Sequence, residues 1–107
     1  MTACPQDTVS FDDEKLSVRL RGRDPAMTIL WSEIVTVEAT ALKVPDGICR
    51  IFGFAHPSGH AVELVDSSQG FPDAMDEVFR RFAISKADQE SLSEVVPGAV
   101  VRIACKR

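Results

Sequence analysis

The chain has three cysteines, one tryptophan and two histidines, no apolar run long enough to cross a bilayer, and no excess of positive charge. Each shortage removes a class of function. Cys4, Cys49 and Cys105 are odd in number and lack CxxC or metal-ligand spacing. Neither a disulfide framework nor a cysteine metal site is therefore expected, and the thiols are read as reduced. A formal net charge of −4 and a pI near 5.1 argue against nucleic acid, which needs a net or clustered positive surface, and against membrane surfaces. No stretch approaches the roughly eighteen apolar residues of a membrane span. Met1 to Asp7 carry neither the basic start nor the apolar stretch of a signal peptide, so a cytoplasmic location is the expectation. No repeat, low-complexity tract or linker divides the 107 residues, which read as one domain.

What is present is a well-formed helix signal preceded by strand signals. In Gly70 to Phe82, Phe71, Ala74, Met75, Val78, Phe79 and Phe82 recur at helical spacing on one face, while Asp73, Asp76, Glu77, Arg80 and Arg81 take the other. Pro72 suits the first turn, acids lead and arginines close, and Asp76 with Arg80 and Glu77 with Arg81 are acid-first pairs four apart. Such a face needs cover, so Phe79 is expected in the core.

Before the helix, Thr8 to Phe11 and Leu16 to Arg21 read as a hairpin turning at Asp12 to Lys15. Met27 to Trp31 makes a third strand, and Ile34 to Leu42 a long one that alternates Val35, Val37, Ala39 and Ala41 with Thr36, Glu38 and Thr40. Alternation of that kind marks a sheet with one solvated face. Ile48 to Ala55 is apolar on both faces apart from Arg50, and Ala61 to Val65 follows the His56-Pro57-Ser58-Gly59 turn. After the helix, Ser85 to Asp88 has capping-box spacing, Pro97-Gly98 is a stop, and Val100 to Cys105 reads as a terminal strand.

Trp31-Ser32-Glu33-Ile34-Val35-Thr36-Val37-Glu38-Ala39 and the Gly70-Phe71 step into the helix resemble the bacterial pleckstrin-homology-like domains of small proteins. The resemblance covers Thr8 to Phe82. It implies an α+β fold, a bent and mostly antiparallel split barrel of about six to seven strands capped by the helix at 71–82. Residues 84–107 then form a C-terminal extension with a further helical turn and strand. The fold hosts lipid, peptide and scaffold binding without a shared catalytic site.

Candidate chemistry is sparse. His56 and His60 flank a turn with only Glu63 at ligand spacing, too few donors for a metal. No Ser-His-Asp, Cys-His, phosphate-loop or dinucleotide pattern is present, so no enzyme and no cofactor are expected. Trp31 reads as core, beside the helix. Arg19, Arg21 and Arg23 form the one basic stripe, spaced about 7 Å apart on a strand face. They are the candidate site for an anionic ligand or lipid headgroup. The leading expectation is a non-catalytic module that binds a protein or peptide along a sheet edge or in a helix–sheet groove. Val101, Ile103 and Cys105 on the terminal strand are candidates for an interface, because that strand either completes its own sheet or pairs with a twofold partner as a homodimer.

Overall fold

A computed structural model describes residues 7–20 and 26–105. Three strands open the chain, β1 (Thr8–Phe11), β2 (Lys15–Arg19) and β3 (Met27–Leu30), and they form an antiparallel sheet in the order β1-β2-β3. A 3₁₀ turn at Trp31–Glu33 then redirects the chain. Strands β4 (Thr36–Val44), β5 (Gly47–Ala55) and β6 (Ala61–Val65) follow, then helices α1 (Phe71–Arg81) and α2 (Lys86–Ser93), then β7 (Val100–Ala104). The second sheet has the order β6-β5-β4-β7, antiparallel throughout.

The two sheets share one core. Leu16, Val18 and Ile29 from the first sheet meet Val37, Ala39, Phe52, Phe54 and Leu64 from the second, all buried. Helix α1 contributes Ala74, Met75 and Val78, the narrow centre of its apolar stripe. Its two phenylalanines, Phe71 and Phe79, and Phe82 at its C-cap are only partly buried and pack at the margin of the core. Phe79 therefore departs from the expected core position; Val78, one residue earlier, is the fully buried one.

The α+β class and the antiparallel pairing are as expected, but in place of the bent split barrel there are two separate sheets, which among the described residues do not close into a barrel. The chain passes from one sheet to the other at Trp31 to Glu33. The Leu30 amide donates to the Glu33 carboxylate at 3.4 Å and the Ile34 amide to the Trp31 carbonyl at 3.3 Å, so β3 and β4 meet through a tight turn and not as a hairpin. No ladder joins β3 to β6 among the described residues, although β2 and β3 both approach β6. At the other end β1 is tethered by main chain: the Val9 amide donates to the Gln69 carbonyl and the Gln69 amide to the Asp7 carbonyl, each at 2.9 Å.

Trp31 is 6% exposed, as its apolar spacing suggests. Its indole N–H donates to the Asp12 carbonyl at 2.8 Å, Phe11 and Phe82 pack edge-on at 6.3 Å, and the Arg81 guanidinium lies 4.6 Å from the ring centroid. This stack fastens the end of α1 to the β1–β2 turn. Helix α2 is capped as its sequence implies, with the Asp88 amide donating to the Ser85 hydroxyl at 3.1 Å.

Candidate functional site

The inner face of β5 changes character along its length. Phe54 and Phe52 are buried, Arg50 is half-buried, and Ile48 at the outer end is exposed. Where Arg50 stands, α1 and the end of α2 pass over the sheet and leave a groove. A cavity of about 120 Å³ lies there, walled by Phe52, Phe71, Met75 and Phe79, with Arg50, Asp66 and Ser93 at its polar rim. Phe52 and Phe71 touch with ring centroids 5.1 Å apart. The partial exposure of Phe71 and Phe79 is the consequence: their rings line the groove instead of filling it.

Arg50 and Asp66 are cross-strand neighbours, since Ile51 pairs with Val65 and the Asp66 amide donates to the Arg50 carbonyl at 3.0 Å. Opposite charges so placed ordinarily bridge. Here the Arg50 Nε donates instead to the Val95 carbonyl at 3.0 Å, at the exit of α2. The terminal guanidinium nitrogens have no further partner among the described residues, and the Asp66 carboxylate forms no ion pair there. A cation and an anion thus stand at the rim of an apolar cavity without neutralising each other. The arrangement suits a ligand that brings a carboxylate to the arginine and an apolar side chain to the phenylalanines. Cys49, just before Arg50, has its thiol pushed up by burial and secondarily by the Asp66 charge, which makes it a poor nucleophile.

A second polar cluster joins the two sheets. His56 Nδ1 is 2.7 Å from the Ser58 hydroxyl and accepts the Ser58 amide at 3.0 Å, while Nε2 is 3.0 Å from the Glu33 carboxylate. The amide bond fixes Nδ1 as the acceptor, so Nε2 carries the proton and donates to Glu33. That hydrogen bond holds the Glu33 carboxyl below its usual range, against a smaller opposing effect of burial. The order serine, histidine, glutamate resembles a proton relay, but the amides flanking the hydroxyl, those of Ser58 and Gly59, are both engaged inside the turn. Neither is free to stabilise an oxyanion. The cluster acts as a latch from the 3₁₀ turn to the β5–β6 turn, with His56 engaged by Glu33 and not by Glu63.

Of the residues singled out in the sequence, Arg19 is exposed on the outward face of β2, opposite Thr8. Arg21 and Arg23 lie outside the described residues, as does Cys4. Val101, Ile103 and Cys105 are half-buried and pack against the chain's own core, and the Cys105 amide donates to the Val35 carbonyl at 2.9 Å. The terminal strand completes its own sheet beside β4. Arg50 and Asp66 were not marked as a site by the sequence pattern, yet a signal was present: Arg50 is the one charged side chain between Ile48 and Ala55. Among the described residues no three His, Cys, Asp or Glu side chains converge as metal ligands, and no helix is long and apolar enough to cross a membrane. No protein-family model, curated protein or solved structure matches the chain.

Proposed function

We propose that this domain is a non-catalytic, cytoplasmic binding module and that the groove between β5 and the two helices receives a peptide segment of a protein partner. The carrying observation is the unbridged pair Arg50 and Asp66 on the rim of the phenylalanine-lined cavity. An apolar side chain enters between Phe52, Phe71 and Phe79, a neighbouring carboxylate binds the arginine through its terminal nitrogens, and a peptide N–H reaches Asp66. The partner segment is therefore one with a carboxylate beside a large apolar residue. Desolvated guanidinium–carboxylate contacts with an apolar anchor are the contacts that dominate such interfaces.

The pleckstrin-homology-like reading belongs with this proposal. Two antiparallel sheets sharing a core with one amphipathic helix support it; the open sheets and the added α2 and β7 depart from it. The basic stripe keeps only Arg19 among the described residues, and the groove has the better-defined chemistry.

A peptide array tests the reading. Wild-type protein is expected to select peptides with Asp, Glu or a free C-terminal carboxylate next to Leu, Met or Phe. Arg50→Met should weaken the selected peptides by roughly tenfold or more, while Arg19→Gln leaves them unchanged. An array with no such enrichment, or one whose ranking survives Arg50→Met, overturns it.

A further inference from the structure

The four-stranded sheet turns one face to the core and the other outward, and among the described residues the strands carry charge on the outward face in only one cross-strand row. Register sets its side chains in rows across β6, β5, β4 and β7. One row is Ala61, Ala55, Thr36 and Ala104; the next is Glu63, Gly53, Glu38 and Arg102; the third is Val65, Ile51, Thr40 and Val100. Beyond these rows β4 and β5 run on alone as an arm, where Leu42 faces Cys49 and Val44 faces Gly47. Leu42 is 54% and Val100 58% exposed. Antiparallel sheets with a solvated face ordinarily cover it with polar residues, and a contiguous apolar patch marks an interaction surface.

We infer that this face packs on the same face of a second copy of the chain, across a twofold axis that runs between the sheets along the strands. Such an axis lays each row over its own copy in reverse order, so β6 faces β7 and β5 faces β4. The charges then match: Glu63 lies over Arg102 of the second copy. In its own chain Arg102 places Nε and Nη2 at 2.8 and 2.6 Å from the Glu38 carboxylate, which leaves Nη1 for that incoming carboxylate. Shapes match as well. Along the arm the larger outward residues of β4 fall over the small ones of β5: Leu42 over Cys49 and Val44 over Gly47. Val65 falls over Val100 and Ala61 over Ala104, so apolar rows meet apolar rows.

A twofold axis across the strands instead stacks β6 on β6 and β7 on β7. Glu63 and Arg102 then lie in the same columns as their own copies, and the charge match is lost. Aligned packing of two sheets, at about −30° and about 10 Å apart, is the usual geometry for faces of this kind. The sheet is about 19 Å wide at four strands, below the usual extent of a tight interface, so the expected dimer is micromolar.

Sedimentation velocity of the intact chain, from low to several hundred micromolar, tests the arrangement. The wild type should pass from monomer to dimer across that range. Val100→Glu and Leu42→Glu, both at exposed positions, should each weaken the dimer by roughly tenfold or more while keeping the monomer's melting curve. Val65 and Val100 lie three strand spacings apart in one chain, about 14 Å, yet face each other between copies. The double variant Val65→Lys with Val100→Glu should therefore recover most of the affinity that Val100→Glu loses. A wild type that stays monomeric throughout overturns the proposal, as does a dimer indifferent to both glutamate substitutions. A double variant no tighter than Val100→Glu alone overturns the twofold register.

Discussion

Gly70 and the Val9 carbonyl sit so close that a β-carbon on the glycine would strike the carbonyl oxygen. Gly70 also takes φ +87°, a left-handed conformation, at the N-cap of α1. The approach follows from the main-chain tether between β1 and Gln69, which draws the helix entry onto the first strand. Gly70→Ala is expected to destabilise by about 2–4 kcal/mol, from left-handed backbone strain plus the forced separation of α1 from β1. A denaturant midpoint within error of wild type would mean that β1 and the helix entry part without cost.

Two phenylalanines separate core from groove. Phe54 is fully buried between the sheets and Phe79 lines the cavity beside Arg50. Phe54→Ala should cost about 3–5 kcal/mol, a large share of the stability of so small a domain. Phe79→Ala should cost clearly less, because its ring keeps an open side, while abolishing peptide selection in the groove. Chemical denaturation of the two variants together with the peptide array checks both halves. Equal losses of stability would place Phe79 in the core.

The elements were legible because their signals are local. The Ser85 cap, the His56 to Gly59 turn, the α1 stripe and the alternation of β4 all depend on residues within a turn or two of one another. The division into two sheets was not, because it depends on pairing between distant strands: β3 pairs only with β2 among the described residues, and β4 pairs with β7 at the far end of the chain. The groove was hidden for a related reason. Helical periodicity places Phe71, Val78 and Phe79 on one face without saying which point at the sheet and which at a gap. Arg50 stood out in its strand, but its bond to Val95 spans 45 residues and depends on where α2 ends.

Three carboxyls lie below their ordinary range in the folded protein. Asp12 is lowered by the amides of Glu14 and Lys15, Glu33 by the hydrogen bond with His56, and Glu77 by Arg80 and then Arg81. In each the folded pKa falls below the unfolded one, so the unfolded chain binds more protons in the window between them. Their stabilisation is complete above the ordinary values of 3.8 for Asp12 and 4.5 for the glutamates, and is lost as pH falls through the lowered values. Thermal melting should therefore hold level from neutrality to about pH 5 and drop below about pH 4. Because these groups are near the surface, salt should shrink the drop. Glu33→Gln and Glu77→Gln should each flatten it. A wild-type melting temperature that stays level down to pH 3 would contradict the assignment.

Strand β7 closes the sheet on the side of β4 that β5 leaves bare. Residues Thr36 to Thr40 pair with β7 on one side and β5 on the other, and Val101 and Ile103 lie beside Ala39 and Val37, both 0% exposed. Without β7 the central strand becomes an edge, and buried β4 side chains meet water at their flank. Five ladder positions at about 1 kcal/mol per hydrogen bond, with the burial of Val101 and Ile103 at about 1–2 kcal/mol each, approach the whole stability of a domain this size. A chain ending at Pro97 is therefore expected to lose its cooperative melting transition and near-ultraviolet signal, and to aggregate through the exposed β4 edge. The same chain extended to Cys105 should restore both. A folded, monomeric product ending at Pro97 would show that β7 is an accessory to a sheet complete without it.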